Sequence, residues 1–224
     1  LLVQHAYLFN PVAAAAFRLS LVFTSRLHGA HALTLYATLT ATRPEKLAIA
    51  ALVTIAGSIL LTLSARIAIP FFPVPLTMTT FAVIGLGLAL GPRLGTAAVA
   101  LYLVQGALGL PVFAGTPEKG IGLAYMMGPT GGYLLGYLPA AFAAGTLARR
   151  GMDRSPMTAF LAALIASAII YVPGLVWLGA LFGWDQPILA WGLTPFILGD
   201  ATKAALAAIV FPATWAMIAK KGGL

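Results

Sequence analysis

Asp200 and Lys203 are the two residues whose chemistry and spacing point most directly to a function. They stand three positions apart in a long apolar stretch of a 224-residue chain that has only five acidic residues. A charged side chain at the centre of a membrane span costs about 2.5–3.5 kcal/mol, so it usually has a specific role. On a helix, residues three apart share a face. The pair could therefore hold a polar ligand, or it could neutralise itself and lock helices together.

Catalytic chemistry finds little support in the other residues. Cysteine is absent and no histidine follows His31, which excludes Ser–His and Cys–His dyads among the later residues. An intramembrane aspartyl protease needs two facing carboxylates, whereas only Asp200 is embedded, and GxGxxG and P-loop patterns are missing. His28 and His31 have a spacing that metal ligands use, but no carboxylate or cysteine lies near them. We therefore expect no enzyme, no metal site and no bound cofactor.

Membrane-spanning helices must position the charged pair. Hydrophobic residues make up 61% of the chain and charged residues 8%, whereas about a quarter of a soluble domain is charged. A spanning helix needs roughly 20 apolar residues. Apolar runs separated by proline and glycine predict six spans, at residues 47–69, 76–90, 93–110, 129–148, 157–181 and 193–219. The fold class is therefore an all-α, polytopic membrane protein.

Lysine and arginine positions orient these spans, because basic residues concentrate in cytoplasmic segments. With the residues before the first span inside, the external loops carry Lys119, and Arg66 lies near the outer end of that span. The cytoplasmic segments then carry Arg43, Lys46, Arg93, Arg149, Arg150, Arg154, Lys220 and Lys221. This asymmetry predicts an N-in, C-in protein with Asp200 close to the external end of the last span. The net charge of +8 fits this topology better than nucleic-acid binding.

The first 44 residues differ from the rest of the chain. They are only moderately apolar, and they lack the short apolar region and small-residue cleavage site of a signal peptide. No methionine precedes Met78, so we expect the chain to be truncated or its true start to lie elsewhere. We predict an N-terminal extension of uncertain structure at 1–44 and a six-helix membrane domain at 45–224.

The external loop between the third and fourth predicted spans is a second candidate for a ligand site. Its glycines and prolines, followed by GPTGGY at 128–133, are typical of a segment that folds over a cavity. Phe113, Tyr125 and Tyr133 offer flat apolar walls with occasional hydroxyls, which suit a small-molecule site. The alternative is an ordinary connecting loop.

Small residues recur at intervals of four on two predicted spans. Gly128, Gly132 and Gly136 begin the fourth span, and Ala50, Thr54 and Ser58 form a smooth ridge on the first. Such spacing lets helix backbones approach closely. On spacing alone, internal packing is favoured over an intersubunit surface.

Three stretches of the sequence resemble the BioY family. They are residues 73–95, residues 101–137 with GLPVFAG and GPTGGYLLG, and residues 198–207 with LGDATKAALA. The similarity covers residues 46–221 and leaves residues 1–44 outside. Members are biotin-specific substrate-binding (S) components of energy-coupling-factor transporters. The resemblance implies a six-helix protein of the bacterial cytoplasmic membrane that captures biotin from outside. Its implied partners are a transmembrane coupling protein and ABC-type ATPases that use the ATP, and a homo-oligomer is left open.

The resemblance also implies roles for individual residues. Asp200 and Lys203 correspond to the Asp and Lys of the family's last helix, which contact biotin. The family's small-residue motif on helix one, which meets the coupling protein, is kept only loosely as Ala50, Thr54 and Ser58. Many members read PVPITLQT where this chain reads PVPLTMTT, so Thr79 replaces a glutamine.

Biotin suits these residues chemically. Its ureido ring offers two N–H donors and a carbonyl, and its tail ends in a carboxylate. Asp200 can accept from a ureido N–H, while Lys203 can pair with either the carboxylate or the ureido oxygen. Apolar walls for the rings and tail are expected from Phe113, Tyr133, Val74 and Pro75, and glycines such as Gly115 would let the loop backbone approach. Two alternatives are an S component for another vitamin and a structural membrane protein in which the pair locks helices.

Overall fold

A computed structural model describes Thr34, Leu35 and residues 46–222 of the chain. The helices are α1 (Lys46–Arg66), α2 (Thr79–Ala107), α3 (Gly122–Met126), α4 (Gly131–Ala148), α5 (Pro156–Phe182), α6 (Ile188–Gly192) and α7 (Thr194–Gly222). Two short strands, β1 (Ala68–Ile69) and β2 (Leu76–Thr77), lie between α1 and α2. The predicted histidine pair His28 and His31, and most of the predicted N-terminal extension, lie outside the described residues.

Prolines and glycines determine where several elements begin, turn and end. Strands β1 and β2 pair antiparallel, with Ala68 opposite Thr77, and they close the proline-rich loop at residues 70–75. Helix α5 begins with Pro156 after Ser155, whose hydroxyl caps the helix by accepting from the Thr158 N–H at 3.4 Å. It ends at Gly183, whose φ of 95° suits glycine.

Helix α2 folds back on itself at Gly91. This residue has φ 83° and ψ 177°, and it precedes Pro92, which has no N–H to continue the helical ladder. A methyl group on Gly95 would lie 2.8 Å from the Leu86 carbonyl oxygen, which is impossible in a straight helix. The two halves of α2 are therefore antiparallel neighbours. They correspond to the second and third predicted spans.

The described helices suit a lipid environment. Within the described residues, four segments are long and apolar enough to cross a membrane by length and composition, namely Leu47–Arg66, Thr79–Ala107, Pro156–Phe182 and Ile188–Lys220, of which Thr79–Ala107 includes both halves of α2. Large apolar side chains such as Leu47, Leu52 and Leu198 are exposed on them, as expected for surfaces that face acyl chains. The chain is thus an all-α, multi-pass membrane protein. The count of six spans and the N-in, C-in orientation stay predictions.

Glycines bring α4 into direct contact with its neighbours. A methyl group on Gly132 would lie 2.3 Å from the Trp177 Cβ atom of α5, and one on Gly145 would lie 2.3 Å from the Pro92 nitrogen of α2. Such distances are far below van der Waals contact, so only glycine allows the backbones to approach this closely. The tight packing predicted from the ladder at 128–136 is therefore present.

The small-residue ridge of α1 packs inward in part. Ser58 is fully buried and its hydroxyl donates to the Gln105 side chain of α2. Ser58 therefore makes a contact between helices in this chain, and its expected contact with a coupling protein stays a prediction. Ala50 and Thr54 are half-buried, and the Thr54 hydroxyl donates to the Ala50 carbonyl at 2.8 Å. Their contact with a coupling protein stays a prediction.

A buried acid attaches the loop between α4 and α5 to the C-terminal half of α7. The Asp153 carboxylate is buried and accepts from the Trp215 indole N–H at 2.6 Å, and the Arg154 guanidinium lies 4.5 Å from the Trp215 ring centre. Burial raises the pKa of the Asp153 carboxyl. This contact fixes the C-terminal half of the helix that carries Asp200.

We predict that Gly132→Ala lowers the free energy of unfolding by about 1–3 kcal/mol, because the added methyl overpacks the α4–α5 contact. The measurement is the melting temperature of the detergent-solubilised protein. Gly199→Ala is the matched control, since nothing lies within 4 Å of a methyl group at that helical position. Equal melting temperatures for the two variants would contradict the packing described here.

Candidate ligand-binding site

A cavity that is partly open to solvent lies among α2, α4, α5 and α7. Residues 74, 75 and 77, near and within β2, and residues 113–114 contribute to its wall. Its lining comprises Val74, Pro75, Thr77, Thr79, Thr80, Tyr102, Phe113, Ala114, Tyr125, Thr130, Tyr133, Leu134, Tyr137, Ile170, Tyr171, Phe196, Asp200 and Lys203.

The charged pair forms one end of this lining. The Lys203 ammonium lies 3.1 Å from Oδ1 of Asp200, one helical turn away on α7. Asp200 is 6% exposed, so its charge is largely removed from water. The shared face predicted from the spacing is confirmed. A buried ion pair needs further hydrogen bonds to offset desolvation, so its other neighbours matter.

Two hydroxyl groups from other helices complete the polar cluster. Lys203 donates a second hydrogen bond to the Thr80 hydroxyl of α2 at 2.8 Å. On the other side, the Tyr171 hydroxyl of α5 donates to Oδ2 of Asp200. Each carboxylate oxygen thus has a donor, and the ammonium has used two of its three N–H groups. Lone pairs on the carboxylate and one ammonium N–H stay available to a ligand.

One wall of the cavity is an aromatic group built around Phe113. Its ring stacks on Tyr125 at a centroid distance of 5.0 Å and meets the edge of Tyr102 at 5.3 Å. A methyl group on Gly106 would lie 2.0 Å from the Phe113 ring, so the ring fits only against glycine. The Tyr125 hydroxyl donates to the Ala114 carbonyl at 2.8 Å and holds the loop in place. Flat apolar surface therefore faces the ligand space.

A second wall of the cavity is built around Tyr133. Its ring stacks on Phe196 at 6.3 Å and meets the edge of Tyr171 at 6.1 Å. Its hydroxyl donates to the Gly192 carbonyl at 2.8 Å, so this polar group is already hydrogen-bonded within the protein. The two aromatic walls and the polar cluster together suit a ligand with a polar head and an apolar body.

The predicted site residues mostly lie together. Val74, Pro75, Phe113 and Tyr133 line the same cavity as the charged pair. Gly115 is not among the lining residues, and its contact with a ligand stays a prediction. Its φ is +74°, and a methyl group there would meet the Lys119 side chain at 2.9 Å, whereas the preceding Ala114 faces the cavity. The glycine serves the turn of the loop.

Arg66 fastens the loop at residues 108–121 to the end of α1. Its guanidinium donates to the Thr116 carbonyl at 2.8 Å and also to the Pro111 carbonyl. The Thr116 hydroxyl in turn donates to the Phe113 carbonyl at 2.7 Å. The orientation of the Phe113 wall therefore depends on an arginine whose side chain is outside the cavity lining.

Thr80, Tyr171 and Arg66 are site or supporting residues that the sequence pattern did not single out. Tyr171 stands two residues before Pro173 in an apolar helix. A hydroxyl group in such an apolar segment is the sequence signal that could have identified it. Thr80 follows Thr79, which also lines the cavity. Within residues 34–35 and 46–222, no three His, Cys, Asp or Glu residues form a group that could hold a metal ion.

Comparison with known proteins gives one consistent result. The sequence profile described as the BioY family matches residues 30–220, starting upstream of the predicted boundary at residue 45. The "Probable biotin transporter BioY" of Pyrococcus horikoshii is 40% identical over 67% of this chain and 86% of its own length. The "Biotin transporter BioY" of Thermotoga maritima is 38% identical over the same shares.

The solved structures include a close match to the fold. It is described as the "Crystal structure at 2.1 A of the S-component for biotin from an ECF-type ABC transporter". The match has a TM-score of 0.65 and 24% identity, and it covers 78% of this chain and 95% of the other. The all-α architecture is therefore that of an S component. With the profile match and these relatives, the chain belongs to the BioY family.

Proposed function

We propose that this chain captures biotin and takes it up across the membrane as the substrate-binding component of an energy-coupling-factor transporter. The observation that carries this proposal is the cavity in which Asp200 and Lys203 face two aromatic walls. Relatives at about 40% identity, named as biotin transporters, support the choice of ligand. The role is transport and not catalysis.

Biotin matches the lining of the cavity in polarity. A ureido N–H can donate to a free lone pair of Asp200, and the remaining Lys203 N–H can reach a ligand oxygen, either the ureido carbonyl or the tail carboxylate. The fused rings and aliphatic tail are apolar and would lie against Phe113 and Tyr133. Val74 and Pro75 would complete the wall on the loop side.

Biotin would reach this site from the external side. Asp200 lies near the start of α7, and the predicted N-in, C-in orientation places that end of the helix at the external face of the cytoplasmic membrane. Release inside requires energy, which the chain would obtain from a transmembrane coupling protein and ABC-type ATPases, with ATP bound only by the ATPases. The half-buried face of α1 with Ala50 and Thr54 is the proposed contact with the coupling protein.

Asp200→Asn and Lys203→Ala should each weaken biotin binding by about tenfold or more, because each removes a charge-assisted hydrogen bond or ion-pair partner. Binding of radiolabelled biotin to the purified protein measures this loss. Asp185→Asn is the matched control, since Asp185 is exposed in the loop before α6. Parent-like affinity in Asp200→Asn would refute the site assignment.

Biotin should raise the melting temperature of the purified chain, whereas thiamine and riboflavin should leave it unchanged. A ligand that binds only the folded state at one hundred times its dissociation constant stabilises that state by about 2.7 kcal/mol. A shift with another vitamin would identify a different substrate. If no vitamin shifts the melting temperature and the swap Asp200→Lys with Lys203→Asp keeps the fold, the pair only locks helices.

A further inference from the structure

The hydroxyl groups of Tyr171 and Thr80 each hold one member of the charged pair, and they come from different helices. We propose that these two residues are positioning residues that fix the Asp200–Lys203 pair in its ligand-binding geometry before the ligand arrives. This inference rests on the proposed function, because it concerns how the same site recognises biotin. It assigns to the two hydroxyls a role that acts through the charged pair.

Tyr171 determines the orientation of the Asp200 carboxylate. Lys203 contacts Oδ1 and the Tyr171 hydroxyl donates to Oδ2, so the carboxylate has a fixed donor at each oxygen. The Tyr171 ring is itself held by edge contacts with Tyr133 at 6.1 Å and Phe196 at 6.3 Å. Because the ring is packed on two sides, its hydroxyl is a rigid donor. The lone pairs left for a ligand N–H therefore point in a defined direction.

Thr80 determines the position of the Lys203 ammonium. A lysine side chain has a flexible four-carbon stem, so one contact with Asp200 leaves the ammonium free to move around the carboxylate. The second hydrogen bond, 2.8 Å to the Thr80 hydroxyl, draws the ammonium toward α2. Only one N–H then stays available, and its direction is set by the two bonds already made.

Preorganisation is the reason why these hydroxyls should affect affinity. Ordering a flexible charged side chain on binding costs conformational entropy. A group that is already ordered in the free protein does not incur this cost when the ligand binds. Removing either hydroxyl also leaves a largely buried charged group with one hydrogen bond fewer. The pair would then adopt several arrangements, of which only some fit the ligand. Affinity should fall even though the hydroxyls need not touch biotin.

The test uses Tyr171→Phe and Thr80→Val, which remove a hydroxyl with little change in shape. We expect each to weaken biotin binding by about tenfold, as for loss of a hydrogen bond to a charged group. Thr80→Ser keeps the hydroxyl and should bind within about twofold of the parent. Thr214→Val is the matched control, because the exposed Thr214 hydroxyl bonds only the Val210 carbonyl of its own helix. The melting temperature without ligand checks that every variant is folded.

A double-mutant cycle distinguishes positioning from a direct or merely structural role. If Tyr171 acts through Asp200, Tyr171→Phe should cost little further affinity in the Asp200→Asn background. Additive losses, or parent-like binding by Tyr171→Phe or Thr80→Val, would overturn the proposal. A loss of affinity in Thr80→Ser as large as that in Thr80→Val would also overturn it. Failure of the parent protein to bind biotin would instead refute the proposed function, so the two failures are distinguishable.

Discussion

The cost of burying two opposite charges among apolar helices is the constraint on which the site depends. Asp200 and Lys203 offset part of that cost for each other, but each has hydrogen-bonding capacity that the partner leaves unsatisfied. Thr80 of α2 and Tyr171 of α5 satisfy part of it, so three helices converge on one point of the cavity. The polar cluster therefore stabilises the arrangement of helices and leaves a defined acceptor and donor for a ligand.

Close backbone approach makes room for this cluster and for the aromatic walls around it. Gly132 and Gly145 let α4 contact α5 and α2 directly, and the fold-back at Gly91 brings the two ends of α2 to the same cavity. Phe113 and Tyr133 line the cavity and stack on other rings. The same residues that pack the bundle thus shape the surface that a ligand meets.

Much of the fold follows from local patterns, whereas the details of the site do not. The apolar runs and the Gly91–Pro92 break predict the helices and the turn within α2, because both depend on residues close in sequence. The face that a helix buries is harder to predict: Ser58 belongs to a small-residue ridge, but only tertiary packing reveals that it is buried. The bond between Thr80 and Lys203 joins residues 123 positions apart, and no spacing rule foresees such a partner. Gly115 presents the same difficulty, since a glycine can serve a turn or a ligand.

The attachment of the 108–121 loop by Arg66 uses the loop backbone. The Arg66 guanidinium donates to the carbonyls of Pro111 and Thr116, and Arg66 is outside the cavity lining. Because every residue has a backbone carbonyl, this attachment does not depend on which side chains the loop carries at these two positions. The loop sequence can therefore vary there while the loop that carries Phe113 stays bound to the end of α1.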